Sequence, residues 1–339
     1  MRKSLLILAL LTFSLALNAQ YAIGTSLTPE DRAKTRSVQK EYRDNFKKTG
    51  VKSITTEKQS FKNGEAKGDM KLAMKQVFNP MGQSGEIVRF QKKGKPIQMI
   101  QFDYDQDGRL KKRSYKRANG KLQSRTEYNY SGELLTGLDH YRGAKETFRR
   151  RQENEYDAKG WLQTTKIYNP KNNKLVRQIQ CSYHEDGSKK RVERYNRRGK
   201  LKRATDYACG QEGKTVSGNK AKENTVCERF EVDADGKTVK IVEILIGGNS
   251  DMRDIAKYNE RGNQLERTRY NKKGQIVYQF LNTYNDKGYR LTTARHGKGG
   301  KLMYRATFER GENGLAISEM QENEKGEIVK KQRYSYEYF

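Results

Sequence analysis

The chain has 339 residues, of which 70 are Lys or Arg and 41 are Asp or Glu, and 33% belong to hydrophobic types. Folded domains usually take roughly 45–50% of their residues from apolar types, counting Gly, whereas the value here counts Tyr and leaves out Gly. The composition still argues against a thick two-layer core. Disorder is also disfavoured, because 21 tyrosines and 11 phenylalanines recur throughout the chain and Pro occurs only four times.

Residues 1–19 have the pattern of a cleavable secretory signal. Arg2 and Lys3 are followed by the apolar run Leu5–Leu17, and Ala19 provides a small residue at the cleavage point. A membrane anchor is the alternative, but the run is shorter than the roughly 20 residues that span a bilayer. We therefore predict a secreted, periplasmic or cell-surface protein whose mature chain has no transmembrane segment.

Residues 20–58 form a predicted N-terminal helix and linker. Thr28 can act as the N-cap, Pro29 suits the first helical position and Gly50 can end the helix. The apolar stripe of this helix, at a spacing of four residues, consists of Val38, Tyr42 and Phe46. We predict that the helix, at 28–50, covers the first strand edge of a following sheet. A partner-binding helix is the alternative.

The range 59–339 repeats an aromatic residue, Asn or Asp, two variable residues and Gly. The clearest copies begin at Phe78, Tyr104, Tyr156, Tyr195, Tyr258, Tyr270 and Tyr284. The turn glycines from Gly262 to Gly326 alternate between spacings of 12 and 14 residues, which defines a unit of 26 residues. About ten such units fill the range, so the fold is that of a repeat protein.

Each unit has the residues of two strands and two turns. Asn or Asp beside Gly tolerates the positive φ of a tight turn. Between turns the side chains alternate, with Leu122, Ser124, Thr126, Tyr128 and Tyr130 on one face and Gln123, Arg125, Glu127 and Asn129 on the other. This period of two predicts strands, and hence an all-β array of 26-residue β-hairpins. The tyrosines beside the turns are expected to stack on one another along the sheet.

The repeated phrase, as in Tyr104–Leu110, resembles the YD repeat of the Rhs and wall-associated families, and it is also similar to MORN-like hairpin repeats. The resemblance implies a scaffold of successive hairpins that forms an extended, open, twisted sheet or solenoid. In the large Rhs toxins such repeats form a shell around a toxin, and this chain is too short for such a shell. We expect the first and last hairpins to lie apart; a β-propeller is the alternative.

Three cysteines are present. Cys209 and Cys227 lie symmetrically about Gly218 in a stretch rich in Gly, Lys and Asn. An exported chain meets oxidising conditions, so we predict a disulfide between these two, across an irregular loop at 208–228, with Cys181 outside the pair. No CxxC spacing occurs, so a metal site formed by cysteines is not predicted.

A catalytic site is not predicted either. His140, His184 and His296 lie in or beside predicted turns with no nucleophile motif nearby, so we expect solvated side chains. The segment 103–108 begins like a calcium loop, but Ser114 occupies the position of the expected bidentate Glu. We predict no enzymatic activity, no cofactor and no metal. A polysaccharide-acting enzyme with paired carboxylates is the alternative.

The excess of positive charge favours anionic partners. Loss of Arg2 and Lys3 with the signal lowers the formal net charge from +29 to +27. We predict an anionic glycan, lipopolysaccharide or an envelope protein as the partner and disfavour nucleic acid; the plainer alternative is that Lys and Arg only solvate the sheet. The basic residues expected to cooperate on adjacent strands are Arg149, Arg150, Arg151, Lys189, Lys190, Arg191, Arg197, Arg198, Lys200, Lys202 and Arg203.

An outer-membrane barrel is a further alternative for an exported β-protein that ends in Phe339. Lipid-facing strands need apolar residues on one face. Glu337, Ser335 and Arg333 share a face with Phe339, so this strand does not fit. The sequence therefore predicts an exported, non-enzymatic repeat scaffold or binding protein of the bacterial envelope or exterior.

Overall fold

The computed structural model describes residue 40 and residues 43–91, 93–185, 187, 189–207, 222–233, 236–246 and 252–339. A helix, α1, occupies residues 43–49 and is followed by strands only, apart from a single 3-10 turn at Lys298–Gly300. The strands are β1 (Val51–Lys62), β2 (Glu65–Ala66), β3 (Lys71–Phe78), β4 (Ser84–Phe90), β5 (Pro96–Tyr104), β6 (Leu110–Arg117), β7 (Leu122–Ser131), β8 (Leu134–Arg142), β9 (Thr147–Tyr156), β10 (Leu162–Asn169), β11 (Lys174–Tyr183), β12 (Lys189–Asn196), β13 (Leu201–Tyr207), β14 (Lys222–Val232), β15 (Thr238–Ile246), β16 (Met252–Tyr258), β17 (Gln264–Tyr270), β18 (Ile276–Tyr284), β19 (Arg290–His296), β20 (Leu302–Arg310), β21 (Ala316–Glu322) and β22 (Ile328–Tyr338).

All 22 described strands belong to one sheet. Consecutive strands pair, except that β1 pairs with both the short β2 and β3. The all-β hairpin array after a short helix is therefore confirmed. The propeller alternative is not, because the pairing continues from hairpin to hairpin instead of stopping after every four strands.

The turns explain why Asn or Asp and Gly recur at fixed positions of the repeat unit. In the turn after β3, the Oδ1 atom of Asn79 accepts hydrogen bonds from the amides of Met81 (3.1 Å) and Gln83 (3.0 Å). Gly82 has φ of 71°, a conformation that favours Gly. A Cβ atom at Gly82 would also collide with the backbone carbonyl of Arg43 in α1.

The tyrosine of the motif links one repeat to the preceding one. Its hydroxyl donates to the carbonyl oxygen that follows the previous turn at the same end of the sheet, as from Tyr104 to Ser84 (3.0 Å) and from Tyr284 to Gln264 (3.0 Å). Equivalent tyrosines lie on every second strand, so their backbones are about 9.6 Å apart, and the expected stacking of their rings stays a prediction.

One face of the sheet carries the core. Along β7, Thr126 and Tyr128 are buried whereas Gln123 and Asn129 on the other face are exposed, which confirms the predicted alternation. Direct cross-strand pairing extends this face, here called the core face, to neighbouring strands. Its main cluster consists of Ile87, Ile100, Phe102, Leu110, Tyr128, Leu135 and Leu138. The opposite face is called the outer face.

The two ends of the array meet, which corrects the expectation that the first and last hairpins lie apart. β1 pairs with β3 on one side and with β22 on the other, for example Ile54 with both Gln76 and Tyr336. Ile54 is fully buried at this junction. Pairing with β22 satisfies the backbone groups that an edge strand would leave unpaired, which is the physical reason for the closure.

The irregular stretch of the repeat makes this closure possible. Without the two-residue β2, the pairings connect 21 strands. Strand direction alternates at every antiparallel pair, so an odd number of strands cannot close through antiparallel pairs alone. Among the described strands, β13 and β14 form the one parallel pair, and they flank residues 208–221. Part of the predicted loop at 208–228 is strand, because β14 begins at Lys222.

The helix lies on the core face at one end of the strands, here called the helix rim. Phe46 stacks on Phe78 with ring centroids 4.6 Å apart, and both pack with Val51, Ile54 and Leu315. The helix therefore covers the junction of β1, β3 and β22; the predicted edge cover is corrected, because β1 has no open edge. The other end, the distal rim, contains the turns at Gly94, Gly120, Gly199, Gly274, Gly300 and Gly326.

Several predictions concern residues outside the described ranges. The signal sequence at 1–19, the first part of the predicted helix and Cys209 are among them. The predicted disulfide with Cys227 therefore stays a prediction, whereas Cys181 is a buried thiol on β11.

Candidate functional site

The core face of β3–β13 carries arginines and, within the described residues of these strands, no carboxylate. The register of each strand pair places Arg89, Arg113, Arg142, Arg150, Arg177, Arg194 and Arg203 on this face. The acidic residues of the same strands, which fall on the outer face, are Glu86, Asp103, Glu127, Asp139, Glu153, Glu155, Glu193 and Asp206. This separation gives the core face of the region a positive potential.

A bulge creates the first recess on this face. His140 of β8 pairs with Arg150 of β9, and the next pair is Tyr141 with Phe148, so Arg149 is an extra residue in its strand. Bulges of this kind redirect a side chain. His140, Arg142, Arg149 and Arg150 line the resulting cavity, which has a volume of about 380 Å³ at the distal rim.

His140 is half-buried among cations. Its Nδ1 atom lies 3.1 Å from Oγ1 of Thr126. Burial lowers the pKa of His140, and the positive charges of Arg150, Arg113 and Arg142 lower it further. The ring is therefore neutral near pH 7. The expectation of a solvated turn histidine is wrong for His140, which lies within β8 because its aligned partners on β7 and β9 extend the strand past it.

A second recess lies three strands further along the same rim. Arg194 of β12 and Arg203 of β13 are directly opposed, and Arg177 of β11 pairs with Asn196. Lys202 is the extra residue of a bulge in β13. Together with Val176 and Tyr195, these residues line a groove with a volume of about 310 Å³.

The basic residues that the sequence singles out lie in different places in the structure. Arg149, Arg150, Lys202 and Arg203 line the two recesses. Arg151 and Arg191 lie on the outer face, where Arg151 contacts Asp139 (3.2 Å) and Arg191 contacts Glu193 (2.9 Å) and Asp206 (2.6 Å). The remaining described side chains, which are exposed, are Lys190, Arg197, Arg198 and Lys200. Lys189 pairs with Tyr183 through its backbone, and its side chain lies outside the described part.

Sequence reasoning missed three arginines and one histidine of the recesses: Arg142, Arg177, Arg194 and His140. They stand apart from the runs of consecutive basic residues, and consecutive residues of a strand fall on opposite faces. The signal that finds them is their even spacing from buried residues, as Arg142 is four residues from Leu138, together with the register of the neighbouring strand.

Carboxylates on the core face of the C-terminal strands, β16–β22, form ion pairs with other described side chains. Asp254 contacts Arg267 (2.9 Å) and Arg269 (2.5 Å), and Glu319 contacts Lys330 (3.2 Å). Burial acts to raise the pKa of Asp254, but the hydrogen bonds and charges of the two arginines outweigh it and hold the pKa below its ordinary value.

The calcium-like segment is likewise held by an ion pair. Asp105 and Asp107 contact Arg109 at 2.7 Å and 2.6 Å. Across the described residues, no group of three His, Cys, Asp or Glu is arranged to hold a metal ion. None of the helices within the described ranges has the length and apolar character needed to cross a membrane.

No protein-family model and no curated protein matches the chain. A porin-like protein from Bacteroides uniformis is 7% identical, with 85% of this chain and 97% of that chain covered at a TM-score of 0.30. The TcdB2-TccC3-TEV structure is 13% identical over 81% of this chain, which spans only 19% of that chain, at a TM-score of 0.19. A LolA superfamily protein from Nitrosomonas europaea is 7% identical, with 87% and 90% covered at a TM-score of 0.20. Scores this low establish no common fold.

Proposed function

We propose that this protein is an exported, non-enzymatic binding scaffold of the bacterial envelope or exterior that holds an anionic glycan or lipopolysaccharide on the core face of β3–β13. The observation that carries the proposal is the separation of charge in this region, with arginines on the core face and carboxylates on the outer face. Export is proposed from the pattern of residues 1–19. The hairpin repeat, which resembles YD repeats, supplies the scaffold.

The two recesses are suited to an extended polyanion. Both lie at the distal rim, one on β8 and β9 and the other on β11 to β13. Strands are spaced by about 4.8 Å, so β8 and β13 are about 24 Å apart along the sheet. A chain with several anionic groups can therefore contact both recesses, whereas a single small anion can contact only one.

Four cations of the recesses have no ion pair in the described part of the chain that would compete with a ligand. Within the described residues, Arg142, Arg149, Arg150 and Lys202 form no ion pair, and neither recess has a carboxylate in its lining. Each anionic group that they neutralise releases a counterion, so binding weakens as salt increases. Exposed charges are screened within about 10 Å at 0.1 M salt, and we expect most of the binding to be lost near 0.5 M.

The test compares two variants with equal losses of charge at the same rim. The recess variant carries Arg142→Gln, Arg149→Gln and Arg150→Gln. The control carries Lys272→Gln, Lys273→Gln and Lys298→Gln, which are exposed residues in distal-rim turns of the C-terminal strands. Affinity for heparin and for lipopolysaccharide vesicles is measured from low salt to about 0.5 M.

We expect the recess variant to bind at least tenfold more weakly and with a shallower salt dependence, and the control to stay within about twofold of the unmodified protein, because a few well-placed contacts dominate binding. Equal losses in both variants would show that only net charge matters. Unchanged binding in both would show that the basic surface serves solubility, and either result would overturn the proposal.

A further inference from the structure

We infer that the recess between β8 and β9 is a proton-coupled site for a tetrahedral oxyanion, the phosphate or sulfate monoester group of a bound glycan, with His140 as the coupled group. This inference rests on the proposed function and adds to it the chemical class of the ligand and the pH dependence of its binding.

The lining of the recess favours an anion with several acceptor oxygens. Arg142, Arg149 and Arg150 supply three permanent positive charges and many N–H donors, and they share the cavity with His140. A carboxylate has only two oxygens, so it leaves most of these donors without an acceptor. A phosphate or sulfate group offers three terminal oxygens, or four as the inorganic ion, and Arg is the preferred partner of such groups.

The size of the cavity agrees with this class of ligand. Its volume of about 380 Å³ exceeds that of a single oxyanion and leaves room for the sugar that carries it. The recess lies at the distal rim, away from α1, which contacts the turns at Gly82 and Gly108 of the opposite rim. A glycan can therefore enter from the rim while its anionic group contacts the arginines.

The groups that face His140 from the packed strands are cationic or neutral. Arg113 of β6 and Arg150 of β9 lie beside it, Arg142 is on its own strand, and Thr126 of β7 contacts its Nδ1 atom. No acidic group contributes to its surroundings in the described part of the chain. Without a ligand, the imidazole is therefore kept neutral by burial and by like charge.

An oxyanion in the recess reverses this balance. An opposite charge within about 4–6 Å favours the charged form of a titratable group and shifts its pKa by about 1–3 units. Binding then takes up a proton at His140, after which both ring nitrogens are donors. Linkage requires the converse: the affinity for the oxyanion increases as pH falls and His140 becomes protonated.

The test is isothermal titration of the full-length protein with inorganic sulfate, which stays a dianion from about pH 5 to about pH 8, the range over which His titrates. We expect sulfate to bind about tenfold more tightly at the acid end, since one pKa unit corresponds to a factor of ten. His140→Gln should bind sulfate with no pH dependence. His184→Gln, which alters an exposed histidine in the turn after β11, should keep the dependence.

Two further arms define the ligand. Inorganic phosphate should compete with sulfate at the same site, and glucuronate, a carboxylate sugar, should bind at least tenfold more weakly than glucose 6-phosphate. A comparison of the affinities for glucose 6-phosphate and glucose 6-sulfate distinguishes the two possible esters. The variant Arg149→Gln with Arg150→Gln should lose sulfate binding at every pH, and its exposed side chains make a folding defect unexpected.

Sulfate binding that is independent of pH, or that keeps its pH dependence in His140→Gln, would overturn the coupling. Stronger binding of glucuronate would overturn the ligand class. Each of these results leaves polyanion binding by the core face intact, so the failure of this inference is distinguishable from the failure of the proposed function. Absence of sulfate binding together with normal heparin binding would assign the polyanion to the Arg177 groove and overturn the inference alone.

Discussion

The strands β3–β13 and β16–β22 have the same repeat but differ in whether a carboxylate lies beside the arginines of the core face. In β3–β13 the described core-face residues include no carboxylate, and two cationic recesses result. In β16–β22, Asp254 has a side chain only 4% exposed and holds both Arg267 and Arg269. One buried carboxylate therefore pairs with two core-face arginines, so these arginines stabilise the fold and do not form a surface for anions.

A bulge residue near each distal-rim turn varies in type along the array. In each of these hairpins a bulge leaves one extra residue in the strand that follows the turn. The extra residue is Ile97, Gln123, Arg149, Val176 or Lys202 before the parallel junction and Val277, Met303 or Val329 after it. Val277 and Met303 are 39% and 50% exposed. The bulge thus gives the repeat a variable position, and a cation occupies it in both recesses, as Arg149 and Lys202.

The largest effect should follow from removal of the buried carboxylate. Asp254→Asn keeps the size of the side chain but leaves Arg267 and Arg269 without a counter-charge. Breaking a buried ion pair costs about 3–5 kcal/mol, and we expect about 3 kcal/mol here because 43% of the Arg267 side chain is exposed. Urea unfolding measures this loss, and a change below about 0.5 kcal/mol, as typical of surface sites, would remove the proposed difference between the regions.

The pH dependence of stability in the same variant tests whether the charge of Asp254 is responsible for the effect. The pKa of Asp254 is lowered in the folded protein, so its contribution to the free energy of unfolding is present above the unfolded pKa of about 3.9 and is lost as pH falls through the folded value. The difference in stability between the unmodified protein and Asp254→Asn should therefore shrink below about pH 4. A difference that grows on acidification contradicts the ion-pair account.

A smaller effect is expected when a carboxylate is added to β3–β13. Asn196 lines the Arg177 groove, and its Oδ1 atom accepts the amides of Arg198 (2.9 Å) and Lys200 (3.0 Å). Asp occupies the same turn position elsewhere, as at Asp105, so Asn196→Asp should fold normally. We expect heparin affinity to fall by about three- to tenfold, or about 1 kcal/mol, as for close charge pairs.

The matched control for that change is Asn271→Asp, in a distal-rim turn of the C-terminal strands, where the Oδ1 atom makes the same contact with the amide of Gln275 (3.1 Å). It adds the same charge and should leave heparin affinity within about twofold, because long-range effects of exposed charges are screened. Equal losses in Asn196→Asp and Asn271→Asp would show that position on the core face is irrelevant.

The smallest effect is predicted for the outer face. Arg151 follows Arg150 directly in sequence, but it contacts Asp139 and lies over the ring of Phe148 at 5.3 Å. Arg151→Gln should change stability by less than about 1 kcal/mol, as is usual for an exposed ion pair, and should leave heparin binding unchanged. Arg150→Gln serves as its neighbour control in the same binding measurement, and it should weaken binding.

The hairpin level of the fold was predictable because its determinants are local. The Asn that opens the turn after β3, Asn79, bonds to amides two and four residues away, and the alternation of β7 follows from strand geometry. The closure between β1 and β22 was not predictable in this way. It depends on pairs such as Ile54 with Tyr336, which the local repeat does not encode, and on the parallel pair β13–β14 in its irregular part.

The candidate site was predictable only in part, for a related reason. Runs such as Arg149–Arg151 mark a basic segment, but strand alternation and a bulge decide which of the three side chains reach the core face. His140 and Arg142 belong to the same recess because of register between strands, which no single segment reveals. Local sequence therefore indicates the charge of the surface, and the pairing of strands determines its geometry.

The most direct test of the difference between the two regions is to map where a polyanion lies. A heparin oligosaccharide that carries a photoactivatable group is bound at low salt, irradiated, and the crosslinked peptides are identified by mass spectrometry. We expect crosslinks concentrated on β8–β13 that disappear in the variant with Arg142→Gln, Arg149→Gln and Arg150→Gln. Crosslinks spread equally over β8–β13 and β16–β22, or concentrated on β16–β22, would contradict this expectation.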